Sequence, residues 1–321
     1  RACAARRREH LTKSGADSEA AGRGGAVELA AGSLALVLVW GMTQPVIKAS
    51  YDGLSPFALI WIRAAVSALT LTAWMVLMKV PDRTTLPTPA AERAHRILNG
   101  ILHNAYILFL YVGMTGTQAA RASVLFYTQP IWVMLFAAAL LPGERITAHR
   151  SLGFGTAMAG TIVIFSQRMG GESALWADLF IVISALIWAF QAIHFKKYLA
   201  RSDMFAVTRW AMIIGAPLYL ALSWLTEGGG RYAFGPAEFY AIFHMGVISS
   251  GLVLVLWAHV MLKHSPARVS VFLFMTPAVG VAGSAVMLGE AVGWNLLSGA
   301  ALTITGVWLV TVGGRRSPGR V

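Results

Sequence analysis

The sequence is poor in charged residues and in cysteine. Asp, Glu, Lys and Arg make up 12 % of the 321 residues, whereas soluble domains carry about 25 %. This shortage of charge, with 57 % hydrophobic residues and a mean hydropathy of +0.64, excludes an ordinary soluble domain and predicts a membrane protein. The single cysteine, Cys3, excludes a disulfide within the chain.

Acidic residues number only 14, and hardly any falls inside an apolar segment. A buried carboxylate is the usual proton relay or cation site of a membrane carrier. Eight histidines are present, but no two have the spacing of three or four residues that would pair them on one helical face. We therefore expect no metal site, no cofactor and no catalytic residue. His103 and His194 are the candidates for coupling transport to protons.

Ten apolar segments follow a polar N-terminal tail, and each is near the length at which a helix crosses a bilayer. The fold class predicted is all-α integral membrane. A disordered tail is expected at 1–28, an outer linker at 167–174 and a second tail at 314–321. The predicted spans are 29–49, 56–78, 97–116, 120–141, 149–166, 175–195, 205–225, 239–262, 269–288 and 293–313.

Lys and Arg are distributed unevenly between the connections. With the N-terminus inside, 20 of the 26 fall in inner segments and three, Arg121, Arg168 and Arg231, on the outer side. This bias predicts that both termini are cytoplasmic in a multi-pass protein of the cell (inner) membrane. The net charge of +12 is then a topology signal and a lipid-facing fringe, and it gives no reason to expect nucleic acid as a partner.

One unit of the chain occurs twice. Five spans per unit is an odd number, so the second unit must enter the membrane inverted. The prediction is two inverted five-helix repeats, 29–166 and 175–313, with a site near the midplane where they meet. The matching residues, first unit before second, are Arg121 and Arg268, Ser123 and Ser270, Val124 and Val271, Pro130 and Pro277, Gly143 and Gly289, and Glu144 and Glu290.

These residues resemble the EamA domain of the drug/metabolite transporter superfamily. Pro130 in mid-helix, followed by Leu-Pro-Gly-Glu ending at Glu144, is similar to one copy, and Pro277 to Glu290 is similar to the second. Trp40-Gly41 and Pro56-Phe57 are similar to the family's first two helices. The resemblance implies a ten-helix carrier in a cytoplasmic membrane, of a kind that often moves amino acids or other metabolites outward.

Uncharged polar and aromatic side chains concentrate in mid-span. Asn99, His103 and Tyr106 share a face of the third span, and the sixth span carries a polar stripe. Amides, hydroxyls and rings without a buried acid suit a small neutral or zwitterionic solute with an apolar part. A single residue of this kind is more often glue between helices, so the prediction depends on the set. The other candidates are Trp40, Gln44, Tyr127, Gln129, Ser184, Trp188, Gln191, Ser250 and Trp257.

Five further residues are candidates for a gate or hinge. Pro130 and Pro277 are repeat mates, and each removes a backbone hydrogen bond from its helix. Glu144 and Glu290 end spans on opposite sides, where each either caps the next span or forms a gate ion pair. Arg63 lies eight residues into its span, where a charge either snorkels to headgroups or faces a cavity or partner.

The sequence therefore predicts a secondary transporter that exports or exchanges an amino acid or related zwitterion by alternating access. One alternative is a drug or toxic-compound efflux carrier. The first span disfavours it, because it has Trp40 and Gln44 where small multidrug exporters of the superfamily carry a glutamate. Another alternative is an intramembrane hydrolase using Ser250 and His259. Nine residues separate this pair on one helix, about 13 Å along the axis, which argues against a dyad.

Overall fold

The structure is built from helices. The computed structural model describes residues 28–80, 90–142, 146–166, 174–263, 272–273 and 275–312. Extended pairing in these ranges is limited to one bridge between Leu54 and Tyr232. The ten helices of the described part are α1 (Glu28–Asp52), α2 (Pro56–Leu77), α3 (Ala90–Thr115), α4 (Ala119–Leu140), α5 (Ala148–Ser166), α6 (Leu175–Tyr198), α7 (Met204–Glu227), α8 (Pro236–Ile242, continued by Phe243–Leu252 and Val253–Lys263), α9 (Thr276–Leu288) and α10 (Trp294–Val312).

The predicted all-α architecture of ten helices is confirmed. Seven helices, α1 to α4 and α6 to α8, are long and apolar enough to cross a membrane, and α9 and α10 carry shorter apolar stretches. The third span was predicted to begin at 97, but the helix α3 begins earlier, at Ala90. Its polar first turns are stabilised by an ion pair between Glu92 and Arg96 at 2.7 Å, so the helix extends beyond its apolar part.

Two helices are discontinuous near a proline, and a third, α9, begins next to one. In α1 a turn at Met42 precedes Pro45 by three residues, and α4 is divided at Tyr127 and Thr128 into Ala119–Phe126 and Gln129–Leu140. Pro130 and Pro277 each occupy the second position of the segment that follows, where the absent N–H loses no helical bond. The break of α4 and the start of α9 thus lie just before these repeat mates.

The regions around the breaks of α1 and α4 lie against the first half of α9. A Cβ atom built on Gly280 of α9 would be 3.1 Å from the Gly41 carbonyl oxygen of α1 and 2.4 Å from Ser123 Oγ of α4. A Cβ atom built on Gly283 would be 2.6 Å from Met42 Sδ. We call this junction of the two interrupted helices with α9 the break region. Glycines on α9 permit the close approach.

The packing of α5 on α10 proves the inversion of the repeats. A Cβ atom on Gly160 would lie 2.6 Å from the Gly299 oxygen, and one on Gly306 would lie 2.5 Å from the Gly153 oxygen. Gly299 and Gly306 are the repeat mates of Gly153 and Gly160, so each residue touches the mate of the other. Such reciprocal contacts between antiparallel helices require a two-fold axis perpendicular to them. For helices that cross a membrane, such an axis lies in the membrane plane.

The remaining packing follows the same pseudo-symmetry. Helix α2 packs along its mate α7, and α3 packs along α6. The symmetry-related pair to α3 and α6 is α8 and α1, which share an apolar cluster that includes Leu36 and Val260. In α8 the segment Phe243–Leu252 is a π-helix, which widens the backbone where it faces α2.

Loops on one side of the bundle are tied to each other. The α1–α2 loop pairs with the α7–α8 loop through Leu54 and Tyr232, and the Ala174 N–H donates to the Gly116 oxygen. The carboxylate of Glu227, at the end of α7, accepts from the first turn of α2 at the Phe57 N–H, 2.9 Å. We call this side the predicted outer face, because the distribution of Lys and Arg predicts it to be extracytoplasmic.

Candidate functional site

The interface of α3 and α6 brings polar side chains of both repeats together. Gln191 Nε2 lies 3.2 Å from Asn99 Oδ1 and 3.5 Å from His103 Nδ1. The His103 ring stands edge-on to Tyr106, with centroids 4.9 Å apart. Four residues that the sequence singled out on two helices therefore meet in one place.

Hydrogen-bonding capacity remains unused at this interface. Asn99 Nδ2 and His103 Nε2 are buried and have no hydrogen-bond partner among the described residues. Buried polar atoms are satisfied in most folded proteins, so unsatisfied ones call for an explanation. A polar solute between α3 and α6 would supply the missing partner.

Ser184 has a different role from its neighbours. Its hydroxyl donates to the Tyr106 carbonyl oxygen at 2.7 Å, and the side chain is fully buried. This bond ties α6 to the backbone of α3. Ser184 is thus the glue between helices that isolated polar residues in spans often provide.

Arg63 is buried beside this interface. Only 7 % of the residue is exposed, and its guanidinium lies 5.6 Å from the centre of the Tyr111 ring. Nη1 donates to the Tyr111 hydroxyl at 3.4 Å and Nη2 approaches Met212 Sδ at 3.9 Å, while Nε has no partner among the described residues. Arg63 therefore does not snorkel to the headgroups.

Tyrosines from two helices, α3 and α7, surround this arginine. The Tyr111 hydroxyl lies 2.8 Å from Met245 Sδ in the π-helical part of α8, and Tyr106 and Tyr219 are within electrostatic range of Arg63. We call Arg63, Asn99, His103, Tyr111 and Gln191 the central cluster. It combines one positive charge, two amides, an imidazole and a phenol.

The aromatic candidates form a separate group. The rings of Trp40 and Trp257 are 5.5 Å apart, at the interface of α1 and α8. They pack with Leu36, Val253 and Val260. Trp188 precedes Lys196 by eight residues, as Trp40 precedes Lys48, and so corresponds to Trp40 in the second repeat. It is half-buried on α6 between Ser184 and Gln191. The structure therefore does not pair Trp40 with Trp188. Of the two symmetry-related interfaces, one is polar and the other is aromatic.

The other polar candidates lie at or near the break region. Tyr127 is one of the two residues of the α4 break, and Gln129 begins the segment that follows it. Gln44, two residues after the α1 break, is 1 % exposed, and its Oε1 has no hydrogen-bond partner in the described part of the chain. These residues lie where the backbone is interrupted.

Glu290 caps a helix of the other repeat. Its Oε1 and Oε2 accept from the backbone N–H groups of Ala119 and Ala120, at 2.7 and 2.8 Å. The sequence had offered the next span, α10, as the capped helix or an ion pair as the partner. The capped helix is instead α4, because the inverted repeats place the end of α9 beside its first turn. Its repeat mate Glu144 lies outside the described residues.

A buried ion pair lies beside Glu290. Arg121 Nε is 3.1 Å from Asp178 Oδ2, and Arg121 Nη1 donates to the Ile164 oxygen. The Thr117 hydroxyl donates to Asp178 Oδ1 at 2.6 Å. We call Thr117, Arg121, Asp178 and Glu290 the outer junction. It joins α4 to α6 and α9 at the predicted outer face.

The serine and histidine of the hydrolase alternative are not juxtaposed. His259 Nε2 is 2.9 Å from Glu28 Oε1, and this pair is half exposed at the end of the bundle opposite the predicted outer face. Ser250 lies in the π-helical segment, half-buried. No group of three His, Cys, Asp or Glu side chains suited to a metal ion occurs in the described ranges.

A pair of histidines lies at the predicted inner end of α3 and α6. His95 Nδ1 is 3.1 Å from His194 Nε2, and the Tyr198 ring stacks on His95 with centroids 4.0 Å apart. The sequence singled out His194 and missed His95, because His95 was assigned to a connection. At least one of the two facing nitrogens must be unprotonated for this hydrogen bond to form.

Other functional contacts also had no sequence signal. Arg121 and Asp178 are 57 residues apart on different helices, and Arg63 and Tyr111 are 48 residues apart. No local spacing predicts contacts of this range. Only the pairing of helices could have suggested them.

Comparison with known proteins identifies the relatives of this chain. The profile of the EamA-like transporter family matches residues 29–166 and again residues 175–312. A solved crystal structure of a protein 21 % identical in sequence aligns with a TM-score of 0.63, covering 91 % of this chain and 99 % of the other. At that identity the structural likeness supports the fold alone.

Several curated proteins align over almost their whole length. A probable terminal-alkyne amino-acid exporter of Streptantibioticus cattleyicolor is 30 % identical, over 88 % of this chain and 95 % of its own. A probable amino-acid metabolite efflux pump of Salmonella typhimurium is 23 % identical, over 88 % and 94 %. An uncharacterized transporter of Bacillus subtilis is 22 % identical, over 89 % and 97 %.

Proposed function

Because the chain belongs to the EamA-like transporter family, a group of multi-pass membrane carriers of small metabolites, we propose that it exports or exchanges an amino acid or related zwitterion. The names of two relatives support this class of cargo. The observation that carries the proposal is the central cluster, where Asn99 and His103 keep unpartnered polar atoms between the two repeats.

The proposed mechanism is alternating access about the pseudo-two-fold axis. The glycine-packed pair α5 and α10 would stay together, while the bundles on either side rock around the central cluster. The outer junction would hold the predicted outer face closed, and release of Glu290 from Ala119 and Ala120 would accompany opening. Pro130 and Pro277, at the break region, would act as hinges.

The substrate-binding set predicted from the sequence divides into three parts under this proposal. Asn99, His103, Tyr106 and Gln191 contact the solute, with Trp188 beside them. Ser184 positions Tyr106. The remaining candidates line the path through the aromatic pair and the break region, and they are Trp40, Gln44, Tyr127, Gln129, Ser250 and Trp257.

Proton coupling is proposed for the histidine pair. Protonation of both His95 and His194 would put two positive charges in contact and break their hydrogen bond. Exchange of the solute in proteoliposomes with an imposed pH gradient tests this. We expect the gradient to drive uptake in the wild type and to have no effect in His194→Gln. Equal responses of the two proteins would contradict coupling through this pair.

An enzyme is not favoured by the geometry. His259 bonds to Glu28 near the end of the bundle rather than to Ser250, so the hydrolase alternative lacks its base. Drug efflux is the second transport candidate, and the aromatic pair Trp40 and Trp257 would suit an apolar solute.

Metabolite profiling of the medium tests the proposed function. Cells expressing the wild type are compared with cells expressing Gln191→Ala at equal membrane levels. We expect one or a few amino acids to accumulate outside wild-type cells only, because Gln191 joins both halves of the polar interface. Accumulation of unrelated apolar compounds instead would favour drug efflux. Identical media would contradict a role for Gln191.

The proposed orientation has its own test. Both termini are placed in the cytoplasm of the cell membrane, and Cys3 is replaced so that single cysteines can be introduced. Cysteine at the exposed position Asp52 should react with an impermeant maleimide in intact cells, and cysteine at exposed Arg201 should react only after permeabilisation. The reverse pattern would invert the topology.

A further inference from the structure

Arg63 is a buried positive charge that the protein itself does not neutralise. No carboxylate of the described residues lies within ion-pair distance of its guanidinium. The two buried carboxylates of the described part are engaged elsewhere, Asp178 by Arg121 and Glu238 by the Gly235 N–H at 2.8 Å. An unpaired charge in a membrane span is costly, and such residues mark ligand or ion pathways.

The residues around Arg63 stabilise its guanidinium without neutralising its charge. The Tyr111 ring faces the guanidinium at 5.6 Å, and the Tyr111 hydroxyl is shared between Nη1 and Met245 Sδ. Tyrosine faces attract a cation while leaving its N–H groups available. Nε is buried without a partner in the described residues, so part of the planar fork of donors is unused.

The second repeat also carries an arginine in its second helix, Arg209, which follows Phe205-Ala206 in α7 as Arg63 follows Phe57-Ala58 in α2. Arg209 is half-buried in a groove between α2 and α7, lined also by Thr72, Met75 and Lys79. Arg63 is in the bundle interior beside the polar interface. The two arginines therefore have different environments, and only that of the first repeat lies beside the polar interface.

We propose that the Arg63 guanidinium anchors the carboxylate of the transported solute, an inference that rests on the proposed function. A guanidinium fork matches the two oxygens of a carboxylate and forms two parallel hydrogen bonds. The described groups within electrostatic range of Arg63 are tyrosines and His103, so the site offers one positive charge, which suits a monoanionic group. Asn99, His103 and Gln191 then face the rest of the solute, including its amino group.

Transport of three matched mixtures by proteoliposomes tests the anchor. The first contains leucine, phenylalanine, valine and threonine. The second contains the amines that remain when their carboxylates are removed. The third contains the corresponding 2-hydroxy acids, which keep the carboxylate and lack the amino group. We expect exchange of the amino acids and no exchange of the amines.

Variants of Arg63 separate the anchor from a packing role. We expect Arg63→Gln to lower kcat/KM for carboxylate solutes at least about 30-fold, because a buried charge-paired contact is lost. Arg63→Lys keeps the charge but lacks the planar fork of donors. Its kcat/KM should lie between those of the wild type and Arg63→Gln, with a loss of about tenfold. Arg209→Gln is the matched control and should transport as the wild type does.

The outcomes distinguish this inference from the function on which it rests. Exchange of hydroxy acids without amino acids, abolished in Arg63→Gln, would contradict the amino-acid proposal and support the anchor. Exchange of amines as fast as amino acids, or full activity of a monodisperse Arg63→Gln protein, would overturn the anchor and leave the carrier function standing. Exchange of none of the mixtures would contradict both.

Discussion

The outer junction and the central cluster each contain a buried arginine, and the two are satisfied in opposite ways. Arg121 has a carboxylate partner in Asp178 and a backbone oxygen at Ile164. Arg63 has a phenol, a sulfur atom and an aromatic face. Both are more than nine-tenths buried. An arginine therefore forms a structural ion pair in one region and, by our proposal, binds the substrate in the other.

The two arginines should therefore respond differently to substitution, one through stability and the other through transport. A satisfied ion pair stabilises the fold only while both partners are present, since removal of one strands the other in a low dielectric. An unsatisfied charge is a burden to the fold, and its removal relieves that burden. Changes at the outer junction should reduce stability, whereas changes at Arg63 should reduce transport.

The largest effect is expected at Asp178. Asp178→Asn leaves Arg121 buried without a counter-charge, which we expect to destabilise the protein by about 3–5 kcal/mol. Thermal unfolding in detergent, followed by size-exclusion fluorescence, measures the loss. The double variant Asp178→Asn with Arg121→Gln should recover part of it. A melting temperature equal to that of the wild type would remove the distinction between the two arginines.

The second largest effect is expected where α5 packs closely on α10. Gly306→Ala puts a methyl group 2.3 Å from the Ala157 nitrogen, and backbone atoms cannot move aside, so α5 and α10 must separate. We expect a loss of about 1–3 kcal/mol in the same unfolding assay. Gly155→Ala is the control on α5, where a Cβ atom meets nothing within 4 Å. Equal melting temperatures of the two variants would contradict the close approach.

A smaller effect is expected at Glu290. Glu290→Gln keeps an oxygen at the first turn of α4 but removes the negative charge from the helix N-terminus, which is worth about 0.3–1 kcal/mol. If the carboxylate also acts as a gate, the variant should make the predicted outer face more accessible. Labelling of a cysteine placed at half-buried Ala174, just before α6, by an impermeant maleimide reports this. Unchanged labelling with a lowered melting temperature would indicate a purely structural cap.

The smallest effect on stability is expected at Arg63. Arg63→Leu removes a charge that lacks a carboxylate partner among the described residues, so the melting temperature should stay the same or rise. Transport should be lost in the same preparation. A melting temperature as low as that of Asp178→Asn would show that Arg63 also stabilises the fold. The contrast between Arg63 and Arg121 would then be wrong.

Several parts of the candidate site were accessible to sequence reasoning. The stripe of Asn99, His103 and Tyr106 was predicted from helical periodicity, and its contact with Gln191 follows from adjacent spans in a bundle. Cross-helix partners such as Tyr111 for Arg63, Asp178 for Arg121 and His95 for His194 were not accessible. They depend on the rotation of one helix against another, which a single sequence does not encode in any local spacing.

The sequence by itself determined the membrane class, the ten spans and the inverted repeat. These follow from local composition, from segment length against bilayer thickness and from an odd number of spans per unit. Only the tertiary structure decided which helix Glu290 caps, that the helix pair α3 and α6 is polar while its symmetry mate is aromatic, and that Arg63 lies inside. The physical reason is that side-chain partners across helices are set by close packing, where glycines such as Gly160 and Gly306 fix the distance and register between helices.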